Sequence, residues 1–88
     1  MSPELMTAMQ LVSSDSQCRR IFANIVQEGG KASGWSLAKT LGEDPDSLKS
    51  AIDKLRSARV LDSTGSGLEG YYYLTQLGYQ LRGSLTAL

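Results

Sequence analysis

Histidine is absent from the 88 residues, and the one cysteine, Cys18, has no partner for a disulfide. These two shortages remove the usual Cys/His zinc sites and any cysteine–histidine nucleophile pair. There is also no phosphate-cradling loop and no pair of acids placed in an evident cleft, so the sequence does not read as an enzyme. No cofactor or metal is expected. An excess of either charge is missing too: nine basic and nine acidic side chains cancel, and no general affinity for polyanions is encoded. No apolar run approaches membrane-spanning length. Glu4 near the start, without a basic run before an apolar stretch, argues against a signal peptide. The expectation is one cytoplasmic domain over residues 1–88, near the size where a single core suffices without staples.

What the chain has in quantity is helical periodicity, clearest from Leu37 to Leu61. Leu37-Ala38 and Leu41-Gly42 read as a short helix that ends on a glycine turn, where positive φ is cheap only for glycine. Asp44 is a good N-cap for the next helix, and Pro45 fits its first position, where a missing N–H costs nothing. Leu48, Ala51, Ile52 and Leu55 follow the i, i+3, i+4, i+7 rule of one apolar stripe. Val60-Leu61 leaves as a short apolar strand. The pattern is a helix-turn-helix.

The flanks add more helix. Ser2-Pro3-Glu4 is a helix start, with Leu5, Ala8, Met9 and Val12 on one stripe. Ser13-Ser14-Asp15-Ser16 breaks that pattern, and Ser14 with Gln17 has the capping-box form for a second helix. Its stripe is Cys18, Ile21, Phe22, Ile25 and Val26, and Gly29-Gly30 ends it. Cys18 on that stripe reads as a small buried hydrophobe, while Arg19 and Arg20 fall on the solvated side. Ser33 caps the helix that runs to Leu41. Trp35 has two readings, packing against the N-terminal helix or an exposed contact residue. Thr64 to Gly70 holds three glycines and is expected to lack regular structure. Tyr71 to Leu74 is strand-forming. Thr75 caps a last helix with Leu77, Leu81, Leu85 and Leu88 on one stripe, weakened by Gly78 and Gly83 at about 1 kcal/mol each relative to alanine.

Taken in order, Leu37-Ala38-x-x-Leu41-Gly42, then Leu48, Ile52, Leu55 and Val60-Leu61, then Tyr72-x-Leu74-Thr75-x-x-Gly78, resemble the winged-helix regulators of the MarR, ArsR and PadR kinds. The resemblance runs from Ser16 to Leu85. It implies a mainly α fold with a small β-hairpin: a three-helix core and a two-stranded wing, with extra helices at both ends. It also implies a very short strand at Lys31-Ala32, a recognition helix at Pro45–Ala58, and Tyr72 and Leu74 pointing inward. Alternation then puts Tyr71 and Tyr73 on the other face.

As a winged-helix DNA-binding module and transcriptional regulator, the chain would touch double-stranded DNA through Ser47, Lys49, Ser50, Lys54 and Arg56. A step of about 100° per residue puts Asp46, Ser50, Asp53 and Ser57 opposite Leu48. Lys49 and Arg56 flank one side, Ser47 and Lys54 the other. From Glu43 to Thr64, five acids face four bases, so the face is mixed although phosphate neutralisation dominates nucleic-acid affinity. The wing carries Glu69 and no lysine or arginine, a departure from relatives that place a basic residue there. The alternative is a protein–protein interaction module without DNA binding, docking through Trp35, Leu68, Tyr71 and Tyr73. A homodimer is expected from the terminal helices, which carry more apolar surface than a three-helix core requires and which MarR-like proteins use to dimerise. Leu81 would lie on that seam. The competing reading has the two terminal helices covering each other within one chain.

Overall fold

The computed structural model describes residues 2–43, 45–65 and 67–86. Five helices and a small sheet follow in the order α1 (Pro3–Ser14), α2 (Ser16–Gln27), β1 (Lys31–Ser33), α3 (Gly34–Leu41), α4 (Pro45–Ser57), β2 (Leu61–Thr64), β3 (Tyr71–Leu74) and α5 (Gln76–Thr86). The strands run β1-β3-β2, antiparallel, with Ala32 opposite Tyr72 and Leu61 opposite Leu74. The apolar stripes converge on one core. Leu5, Ala8 and Val12 of α1 meet Cys18, Ile21, Phe22 and Ile25 of α2; α4 adds Leu48, Ala51, Ile52 and Leu55. Tyr72 and Leu74 point into this core and Tyr71 points out, as alternation requires.

Most caps sit where local chemistry puts them. Ser33 accepts the Ser36 N–H at 3.1 Å, and Thr75 Oγ1 accepts the Gly78 N–H at 3.1 Å. Gly42 takes φ 66° after α3. The Asp44 cap and Leu88 lie outside the described residues.

The Ser14–Gln17 capping box does not form. Ser14 is the last residue of α1, and its hydroxyl donates to the Gln10 carbonyl at 2.7 Å. Asp15 is the single non-helical residue between α1 and α2. Its backbone N–H donates to the Leu11 carbonyl, closing α1, and its carboxylate accepts the Cys18 N–H at 3.0 Å, opening α2. A carboxylate outcompetes a hydroxyl there because it also complements the positive end of the α2 dipole.

Three other expectations change. The Thr64–Gly70 stretch holds a 3₁₀ turn at Gly67–Glu69, pinned from both sides. Tyr72 Oη donates to the Gly67 carbonyl at 3.0 Å and the Gly34 N–H to the Gly70 carbonyl at 2.9 Å. A Cβ at Gly34 would overlap the Gly67 carbonyl oxygen, so the turn can lie this close only over glycine. Trp35 is 63% exposed. α1 packs chiefly on α2 and α5. Leu81 is 0% exposed within one chain, which places it in the core and not on a seam; α1 and α5 cover each other here, with Leu77 and Leu85 half-buried.

The exit of α4 gives no glycine signal. Arg59 adopts φ 66°, the one positive φ among the described non-glycine residues, and the Val60 N–H reaches back to the Leu55 carbonyl at 3.2 Å. This is a Schellman-type ending that normally uses glycine. Arg59→Gly should therefore raise stability by about 0.5–1 kcal/mol, read from the denaturation midpoint. A lower midpoint would show that the arginine side chain contributes more than its backbone strain costs.

Candidate nucleic-acid interface

The second helix of the helix-turn-helix, α4, is held on three sides and open on the fourth. Its buried stripe faces α2 and the sheet, leaving Lys49, Ser50, Asp53, Lys54, Arg56 and Ser57 exposed. Ser47 is half-buried and already has a partner. Nothing is described of the Asp46 side chain. The open face is divided. Lys49, Asp53 and Arg56 look toward the wing across a cleft, whereas Ser50, Lys54 and Ser57 look toward α1.

The α1 side is electrically occupied. Lys54 Nζ sits 3.0 Å from Asp15 Oδ2, the carboxylate that also caps α2. The Cys18 N–H, foremost, and then the Lys54 ammonium hold the Asp15 carboxyl below the usual carboxylate range, and Asp15 in turn raises the Lys54 pKa. A second bridge braces the turn between α3 and α4. Arg20 Nη1 lies 2.9 Å from Glu43 Oε1 and its Nη2 donates to the Leu41 carbonyl at 3.1 Å, while Gln17 donates to the other Glu43 oxygen. The solvated reading of Arg20 therefore misses its reach to Glu43. On the wing side, Lys49 and Arg56 have no ion-pair partner among the described residues.

None of the aromatic candidates stands on α4: Trp35 belongs to α3, and Tyr71 and Tyr73 to β3. Tyr71 is 47% exposed with Lys31 Nζ 4.8 Å from its ring centroid. Tyr73 and Leu68 are half-buried. Tyr79, absent from the sequence candidates, is 45% exposed with Arg82 over its ring; its place off the Leu77–Leu81 stripe was the available signal. Cys18 is inert: burial first, then the nearby Asp15 charge, pushes its thiol up to about 11, and it donates to the Ala51 carbonyl at 3.6 Å. Among the described residues no cluster of three or more His, Cys, Asp or Glu could hold a metal. No described helix is long and apolar enough to cross a membrane.

This arrangement recurs in solved proteins. TubR from Bacillus thuringiensis serovar israelensis, solved bound to 24 bp of tubC from pBtoxis, matches with a TM-score of 0.76 at 13% identity, over 99% of this chain and 97% of its own. An ArsR-family transcriptional regulator matches with a TM-score of 0.69 at 16% identity, over 99% of this chain and 88% of its own. The fold is a winged helix-turn-helix. No protein-family model matches the sequence, and no curated protein does. At these identities the likeness carries the architecture, and the residues must carry the rest.

Asp15 offers a direct check on this bracing. Its folded pKa lies below its unfolded value, so its stabilisation is present above about pH 4 and is lost as pH falls through the folded pKa. Asp15→Ala should cost about 1 kcal/mol at neutral pH, mostly the lost cap. The gap to wild type should shrink in acid denaturation curves below about pH 4. A gap independent of pH would mean that the carboxylate charge contributes nothing.

Proposed function

We propose that this chain is a DNA-binding winged-helix regulator acting in the cytoplasm, with α4 as its recognition helix. The observation that carries the reading is the pair Lys49 and Arg56, exposed on the wing side of α4 and free of ion pairing among the described residues. Two turns of helix separate them, so both can reach a phosphate backbone running between α4 and the wing. Ser50 adds a hydroxyl that can read a base edge. That TubR, of the same fold, was solved on a DNA duplex supports the reading. Asp53 between the cations, and the Lys54 charge offset by Asp15, keep the face weakly basic. Sequence-independent affinity should accordingly be low.

A protein-docking role without DNA is the second reading, favoured by the exposure of Trp35 and Tyr71. We also place a homodimer within the proposal. An apolar groove of about 490 Å³ between α1, α2 and α5, lined by Val12, Phe22, Val26 and Leu85, supports it. Two copies would present two recognition helices to two half-sites.

A salt-dependent DNA titration decides between the two readings. For DNA binding, log K falls steeply with log salt, and Lys49→Ala or Arg56→Ala each lowers the slope by about one. Lys54→Ala should change it less. No binding at low salt would leave the protein-docking reading. For the dimer, sedimentation should show association that Val26→Arg abolishes while the far-ultraviolet spectrum stays folded. A wild type that sediments as a monomer at high concentration ends that part of the proposal.

A further inference from the structure

A helix seated in a major groove has a phosphate backbone along each flank. On α4 only the wing flank carries cations without an ion-pair partner among the described residues, Lys49 and Arg56. The other flank opens into a groove between α1 and α4, where Thr7 and Leu11 face Ser50, Lys54 and Ser57. Asp53 lines this groove as well as the cleft on the wing side. Lys54 is the one cation among the residues that line the groove, and its Nζ lies 3.0 Å from Asp15 Oδ2. The two partners differ in freedom. Asp15 is fixed at the α1–α2 junction: its N–H donates to the Leu11 carbonyl at 2.9 Å, and its Oδ1 accepts the Cys18 N–H at 3.0 Å. Lys54 hangs on a flexible four-carbon stem, and its side chain is 54% exposed against 23% for Asp15. The ammonium can leave; the carboxylate cannot follow.

We propose that the α1–α4 groove receives the second phosphate backbone of the duplex, and that Asp15 holds Lys54 in the phosphate's place while DNA is absent. The inference rests on the DNA reading above and adds to it a competitor built into the fold. Binding on this flank exchanges one anion for another. Lys54 leaves the Asp15 carboxylate and turns to a phosphate oxygen, with the exposed hydroxyls of Ser50 and Ser57 beside it. The exchange returns little, because the ion pair given up offsets the one gained and an uncompensated carboxylate stays near the backbone. Asp15 thus lowers affinity for every duplex alike, since phosphate contacts carry no sequence information. Its carboxylate has a second duty, as the cap that opens α2. Asparagine caps a helix about as well as aspartate but carries no charge to hold Lys54. One substitution therefore separates the two duties.

The test follows a fluorescent random-sequence duplex by anisotropy over a salt series, with wild type, Asp15→Asn, Lys54→Gln and the double variant. Asp15→Asn should bind about three- to tenfold tighter at low salt and steepen the slope of log K against log salt by up to about one. In the Lys54→Gln background the same change should gain less than about twofold, because the cation it frees is gone. Asp15→Ser, whose hydroxyl also caps, should reproduce the gain, and far-ultraviolet spectra check that each variant is folded. Thr7→Glu, which sets a carboxylate in the groove from the α1 side, should reverse the gain of Asp15→Asn. A duplex bound only once Asp15 is neutralised supports the inference most directly. An equal gain with and without Lys54 would be a long-range charge effect and would overturn the exchange. A gain that survives Thr7→Glu would overturn the groove as the backbone's place. If wild type binds and Asp15→Asn changes nothing, the inference fails and the DNA reading stands on Lys49 and Arg56. If neither wild type nor Asp15→Asn binds the duplex, both fail.

Discussion

The ring of Tyr72 lies in the core while its hydroxyl holds the Gly67 carbonyl, so one side chain joins the packing of the helices to the shape of the wing. Its strand, β3, is central in the sheet and pairs on both sides, with β1 ahead of α3 and with β2 after α4. Each half of the helix-turn-helix is thereby anchored to the same four residues. A wing built on an edge strand alone could sway about its base. Here the sheet order makes the wing, the start of α3 and the exit of α4 parts of one hydrogen-bonded unit. Burial of the ring and satisfaction of its hydroxyl occur together, which is the condition under which a polar group in a core specifies structure without a desolvation penalty.

How far the sequence can be read follows the range of the interactions. Helices α2 and α4 declare themselves because their stripes are local and regular, and Ser33 and Thr75 cap helices within three residues of themselves. The α1–α2 junction is harder: four consecutive polar residues all cap well, and only the backbone turn selects Asp15 over Ser14. Arg59 gives no hint of its left-handed conformation, since glycine is the residue that normally marks such an ending. The candidate interface was legible in outline, with Lys49, Ser50, Lys54 and Arg56 exposed as the helical wheel requires. Its electrostatics were not legible. The bridge from Asp15 to Lys54 spans 39 positions, and no local pattern announces it. Likewise Gly34 reads as an ordinary helix-start residue until the wing turn is seen lying against it. Leu81 carried the right periodicity and the wrong destination, because periodicity reports burial without saying which chain does the burying.

Charge pairing shapes what the surface has left to offer. The two described bridges, Arg20–Glu43 and Lys54–Asp15, each tie α2 to the helix-turn-helix, one at the turn and one along α4. Exposed pairs of this kind stabilise little. The Lys54–Asp15 bridge also offsets the cation that α4 turns toward α1, leaving Lys49 and Arg56 on its wing side without an ion-pair partner among the described residues. A face with few free cations depends more on shape and on groups that bind at short range than on long-range attraction. A polyanion held on such a face would be correspondingly easy to displace.

The contact between Gly34 and the wing turn bears on who must adapt when such a domain meets a duplex. With no Cβ to hold them apart, the start of α3 and the turn touch backbone to backbone, so the wing is tied to the helix-turn-helix at its base. A wing tied in this way follows variation in groove dimensions less readily than a free hairpin. Under the DNA reading proposed above, part of the deformation would fall on the duplex, favouring sequences that widen, narrow or bend easily even at base pairs the protein never touches.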